Sequence, residues 1–191
     1  MKVVNVHQRL LHATPLQAGA LIDGLASPHD VLWPHKTWPG IRFDRPLAVG
    51  ATGGHGPIRY FVESYARGQS IRFRFTAPKG FNGWHACEIL DATPVHCVME
   101  HRIEMTLEGR ALLTWPLVIR PLHDACVEDL LSRAQVALGN EPKATPWSAR
   151  VRFLRWLAAR MVPAPTNVMP GSTRHPGNRP RIASQARNDS R

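Results

Sequence analysis

The 191-residue chain has no apolar run long enough to span a bilayer, which excludes a membrane-spanning helix. It has three cysteines, Cys87, Cys97 and Cys126, an odd number without the close pairs of a metal or disulfide framework. All three fall on or near predicted apolar faces, so they read as reduced, buried thiols of a cytoplasmic protein. The opening residues, Met1 to His7, lack the apolar core of a secretory signal, which carries the same expectation. The glycine-rich stretch Gly53-Gly54-His55-Gly56-Pro57 lacks the Gly-Lys-Ser/Thr ending of a phosphate loop. It also leads into a strand rather than a helix N-terminus, so it reads as a tight turn at the mouth of a site. Neither Ser64 nor Ser70 stands in a Gly-x-Ser-x-Gly pattern, which excludes a nucleophile elbow. His55, His85, His101 and His123 are metal ligands by type alone. They lie far apart and no His-Glu-x-x-His motif is present, so neither a metal nor a cofactor is expected.

Acidic residues are also scarce, 14 against 24 Lys and Arg, for a formal net charge of +10. That excess is local. Residues 140–191 hold ten basic residues against Glu141 and Asp189, whereas residues 1–139 are nearly balanced at +2. A basic tail on a near-neutral body gives no support to specific nucleic-acid binding.

What is present is hydrophobic periodicity. Val95, Cys97, Met99, Ile103, Met105 and Leu107 alternate with polar residues, with His101 on the apolar side, which predicts a half-buried strand over 95–107. Ala111, Leu113, Trp115 and Leu117 continue the alternation as a second strand. Pro121 then opens a helix whose apolar face gathers Leu122, Cys126, Val127, Leu130, Leu131, Ala134, Ala137 and Leu138, with His123 within the arc. Asp124, Glu128, Ser132 and Gln135 take the opposite face. Upstream, Lys2 to Leu11 reads as a strand. Thr14-Pro15 starts a short helix with Leu16, Ala20 and Leu21 on its apolar side. Ser27 to Gly40, rich in Trp, Pro and His, reads as an irregular lid. Further strands follow at Ile58–Tyr65, Ser70–Ala77 and Trp84–Leu90, and a last helix over Thr145–Met161. The order predicts an α+β fold, an antiparallel sheet packed on one long helix. The expected division is a body over 1–139, a basic linker and helix over 140–163, and a disordered basic tail over 164–191.

The segments Asp30-Val31-Leu32-Trp33-Pro34, Arg45-Pro46-Leu47-Ala48-Val49-Gly50 and Gly53 to Tyr60 resemble the START/Bet v 1-like (SRPBCC, polyketide cyclase-like) superfamily. Phe81-Asn82-Gly83-Trp84-His85 and Trp115 to Asp124 complete the likeness, to a bacterial subgroup, over about residues 3–138. The resemblance implies a helix-grip fold, a curved sheet wrapped around a long C-terminal helix, with a hydrophobic small-molecule cavity between them. It transfers no catalytic residue. The residues expected to line such a cavity are Trp33, Trp38, His55, Tyr60, Phe73, Phe75, His85, Met99, His101, Ile103, Met105, Trp115, His123 and Val127. His101 and His123 are the candidate polar anchors or acid–base groups. The leading expectation is binding of an apolar lipid-, quinone- or polyketide-like molecule. One alternative is a cyclase or dehydratase using a cavity histidine. Another is a membrane-associated carrier, with the arginine-laced segment 147–161 on an anionic surface.

Overall fold

Strand alternation builds one seven-stranded sheet in the order β1-β7-β6-β5-β4-β3-β2, with every neighbouring pair antiparallel. The computed structural model describes residues Met1–Met161, which form one unit. The expectations for 164–191 lie outside the described residues. The strands are β1 (Lys2–Leu11), β2 (Arg42–Phe43), β3 (Thr52–His55), β4 (Ile58–Ala66), β5 (Ser70–Ala77), β6 (Phe81–Leu90) and β7 (Cys97–Leu107). The chain's first and last strands therefore lie side by side. β3 and β4 form a hairpin, so the glycine-rich stretch is a short strand plus its turn rather than a turn alone. Register shifts in the β4–β5 pair bend the sheet.

Helix α1 (Pro15–Asp23) begins as the sequence predicts. Thr14 caps it, and Gln17 completes the reciprocal capping box. Its buried face is different from the predicted one. Ala18, Gly19 and Ile22 point inward, while Leu16 is 79% exposed. Gly19 sets this phase, because a Cβ there would sit 1.9 Å from the Gly68 carbonyl oxygen in the β4–β5 turn. Only a bare backbone allows that approach.

The largest correction concerns residues 111–119, which are helical rather than a strand. Helix α2 (Ala111–Thr114) runs through a π-helical turn (Trp115–Ile119) into α3 (Arg120–Ala137). The alternation of Ala111, Leu113, Trp115 and Leu117 is misleading. Ala111 and Trp115 are buried while Leu113 and Leu117 are 67% and 55% exposed, a four-residue spacing and not a two-residue one. Two prolines explain the widened turn. Pro121 has no N–H, so the carbonyls of Pro116 and Leu117 lose their helical donor. Arg150 replaces it, donating from Nη2 to both oxygens at 3.2 and 2.6 Å. Arg150 belongs to α4 (Ala149–Met161), which starts four residues later than the sequence predicts. We expect Arg150→Ala to cost about 1 kcal/mol. Hydrogen exchange should show faster opening of α4 than of α3; equal protection in variant and parent would refute this role.

Helix α3 covers the inner face of the sheet with Cys126, Val127, Leu130, Leu131 and Ala134, all buried. These join Tyr60, Val62, Ile71, Phe73 and Met99 in the main core. Ile103, Met105, Leu107, Phe81, Ala111 and Trp115 form a second cluster at one end. No helix among the described residues is long and apolar enough to cross a membrane.

Candidate functional site

Alternation along β4, β5, β6 and β7 points Tyr60, Phe73, Phe75, His85 and His101 at α3, and the phase of α3 returns His123 toward them. The result is a continuous column of rings. Trp33 lies 4.8 Å from His55 between centroids, and His55 Nδ1 is 3.0 Å from the Tyr60 hydroxyl. Tyr60 meets His85 edge-on at 4.7 Å, and His85 stacks on both Phe73 and Phe75. His85 lies 5.5 Å from His101, and His101 lies 5.1 Å from His123. Trp115 and His7 flank His123 at 5.9 and 6.0 Å.

Burial disfavours the charged form of these imidazoles. It pushes the pKa of His55 down to about 4, with smaller contributions from the charges of His123 and Arg59. His85 and His101 are held well below the ordinary histidine range for the same reason. His123 is also lowered by burial, against the opposing hydrogen bond to Asp124. Near neutral pH the column is therefore uncharged. Three of its nitrogens, His85 Nε2, His101 Nδ1 and His123 Nε2, are buried without a hydrogen-bond partner in the protein. His123 nonetheless keeps 16% of its side-chain surface accessible.

Most of the residues named from sequence meet in this column or its walls. Met99 and Val127 belong to the adjoining core, and Ile103, Met105 and Trp115 to the second cluster. Trp38 is turned elsewhere. Its indole donates to Asp129 Oδ2 at 2.7 Å, packs edge-on against Trp147 and lies under the Arg155 guanidinium, tying the lid to α3 and α4. Asp30 orders the lid, accepting from the backbone N–H groups of Ala26, Leu32 and Trp33.

Two cavities abut the column from outside. One of about 500 Å³ is walled by Asp23, Leu25, Phe43, Arg45, Leu47, Tyr65 and Arg67. Phe43 separates it from the column, stacking on Phe73 at 5.8 Å and packing on Tyr60. The other, about 240 Å³, opens at His55 among Arg42, Gly53, Gly54 and Arg59. The larger open volume thus lies beside α1 and not between sheet and α3, where the sequence led us to expect it. The aromatic rings themselves fill much of that interior.

A polar seam along β1 also escaped the sequence reading. Asn5, His7 and Arg9 point inward from β1 and meet Asp124, Glu128 and Gln135, the face of α3 opposite the predicted apolar arc. Asn5 Nδ2 donates to Asp124 Oδ1 at 3.1 Å. His7 lies 3.2 Å from the same oxygen through Nε2 and 2.8 Å from Glu128 through Nδ1. Arg9 donates to Gln135 and Glu128, both at 2.7 Å. Burial opposes charge on His7, but its two carboxylate partners outweigh it and raise its pKa. The signal was legible: polar Asn5, His7 and Arg9 alternate with Val4, Val6 and Leu10, so one face had to be polar, and the structure turns that face inward. Among the described residues, His7, His123 and Asp124 are the one group whose donor atoms converge at metal-binding range.

No family model matches the sequence, and neither does any curated protein. Solved structures do match in fold. Norcoclaurine synthase from Thalictrum flavum, in complex with dopamine and hydroxybenzaldehyde, superposes with a TM-score of 0.54 at 13% identity, covering 75% of this chain and 90% of that one. A solution structure from Thermobifida fusca gives 0.55 at 13% identity, covering 74% and 99%. The di-domain ARO/CYC StfQ of the steffimycin biosynthetic pathway gives 0.54 at 12% identity over 73% of this chain and 51% of that one. The open antiparallel sheet gripping one long helix, shared with these structures, gives this chain a helix-grip fold.

Proposed function

We propose that this protein binds an apolar, flat small molecule that carries a hydrogen-bonding group, held against the ring column between the sheet and α3. The observation that supports this most is the trio of buried, unpartnered nitrogens on His85, His101 and His123. A buried polar atom without a partner costs about 1–3 kcal/mol, and a ligand hydroxyl or carbonyl would supply the missing bond. Phe73, Phe75, Tyr60 and Trp115 offer the apolar walls. The cavity behind Phe43 has the volume of a small-molecule site, and a swing of that ring would join it to the column. The unpaired buried thiols suit a reducing compartment, consistent with a cytoplasmic protein.

Native mass spectrometry of freshly purified protein, followed by titration with 2-naphthol, tests this reading. We expect one bound molecule per chain, and about tenfold weaker binding in His101→Leu, roughly the value of one buried hydrogen bond. A wild-type protein that neither carries an adduct nor binds the probe would count against the reading, as would an unchanged affinity in the variant.

The 5.1 Å separation of His101 and His123, both neutral, also suits a cyclase or dehydratase in which one imidazole removes a proton from bound substrate. Norcoclaurine synthase, a structure of the same fold, holds dopamine and hydroxybenzaldehyde, which supports this second reading. This reading requires turnover that His123→Phe abolishes while binding persists.

One surface feature favours a membrane contact. Phe153, Trp156 and Leu157 form an exposed stripe on α4, a helix with four arginines and no acidic residue. Co-sedimentation with anionic vesicles at low salt, lost at high salt and in Phe153→Ser, is the expected result.

A further inference from the structure

The geometry points to a divalent transition-metal site formed by His7 Nε2, His123 Nδ1 and the Asp124 carboxylate at the junction of β1 and α3. The inference is independent of the ligand reading. His7 Nε2 and His123 Nδ1 lie 3.2 and 3.3 Å from Asp124 Oδ1. Ligand atoms held tetrahedrally at about 2.0–2.1 Å from zinc are about 3.3 Å apart, so two edges of the polyhedron are already in place. All three donor atoms lie within 4.8 Å of one another, the range of a shared metal ion.

The surroundings are those of a metal site rather than of a simple ion pair. His7 presents Nε2 to the site while its Nδ1 lies 2.8 Å from Glu128, and Arg9 holds Glu128 in turn. A carboxylate on the far nitrogen of a ligating imidazole fixes its tautomer and raises its basicity. Asn5, only 8% exposed, donates to the Asp124 oxygen through Nδ2 and leaves its Oδ1 buried without a partner. Three nitrogens around one carboxylate oxygen demand a proton on each ring at that position, whereas a cation satisfies both rings in their neutral form. Two imidazoles and one carboxylate select a borderline metal such as Zn²⁺ over Mg²⁺ or Ca²⁺, which prefer all-oxygen shells. Asp124 is one-third exposed, which opens a route for the ion and a fourth position for water.

The test is titration of chelator-treated, full-length protein with Co²⁺, read by its visible absorption, and with Zn²⁺ by calorimetry in two buffers. We expect one ion per chain, intense tetrahedral Co²⁺ bands and proton release on binding. Asp124→Asn and His7→Gln should each weaken binding at least 100-fold. Glu128→Gln, which touches no metal, should weaken it about 10–100-fold. Asp124→Asn preserves shape, and circular dichroism establishes that each variant scored is folded. Failure of the folded parent to bind Co²⁺ would overturn the site. So would binding that survives unchanged in both Asp124→Asn and His7→Gln, because the ion would then sit on other histidines.

Discussion

Arg9→Ala is expected to be the most damaging single change on β1, costing about 3 kcal/mol and lowering the melting temperature by about 8 °C. Arg9 is only 7% exposed, yet it carries a full charge on the inner face of a strand. Its guanidinium meets the Glu128 carboxylate and the Gln135 amide oxygen, both on α3. Removing it leaves Glu128 half-buried with only His7 and Thr145 beside it. Leaving one member of such a pair alone costs more than the pair gains, because the remaining charge keeps its desolvation penalty. The double variant Arg9→Met with Glu128→Leu should therefore recover part of the loss, since neither charge is stranded. Denaturant melts of the parent, Arg9→Ala, Glu128→Leu and the double variant close the cycle. Purely additive losses would show that the two side chains do not act as a pair.

Stability should also fall steeply on acidification below about pH 6.5, before most carboxylates titrate. The sign follows from the direction of the shifts. His55 has its folded-state pKa depressed to about 4 and His85 is held well below its ordinary value. Each is neutral when folded and binds a proton when unfolded, so its contribution is fully present above 6.5 and is lost as pH falls toward the folded value. For His55 the window between 6.5 and 4 is worth about 3 kcal/mol. His7, whose pKa is raised, acts in the opposite direction: its contribution is present below 6.5 and fades as pH rises through its folded value. The buried imidazoles outnumber it, so the net slope is toward acid instability. His85→Phe tests the assignment, because a phenyl ring fits the stack between Phe73 and Phe75 and cannot be protonated. Its unfolding free energy between pH 4.5 and 7 should show a shallower slope, by up to one proton. An unchanged slope would mean that His85 is already protonated in the folded protein.

Much of this architecture is local physics written along the chain. The alternation from Cys97 to Leu107 fixes β7 and puts His101 on its inner face without reference to any other segment, because a pleated strand offers only two sides. Thr14, Pro15 and Gln17 fix the start of α1 through one capping box. The apolar arc from Cys126 to Ala134 fixes which side of α3 is buried, and with it the inward aim of His123. The antiparallel pairing of β4 with β5, β5 with β6 and β6 with β7 also follows from the short connections between them.

Tertiary structure decided what those faces met. Residues 111–117 have the period of a strand and become a helix, because Ala111 and Trp115 pack as neighbouring turns and Arg150, distant in sequence, donates to the carbonyls that Pro121 leaves free. The polar flank of α3 reads as a solvated face until β1 is laid against it. Only then do Asp124 and Glu128 find Asn5, His7 and Arg9. Periodicity says that a face is polar; it cannot say whether water or another polar face will satisfy it. That choice depends on sheet order, which places the first strand beside the last. Sequence therefore determined most of the elements and the inward histidines by itself. The pairing of His7 with His123 and Asp124 arose only when segments more than a hundred residues apart were packed together, and the filling of the interior by stacked rings only when β4 to β7 and α3 met.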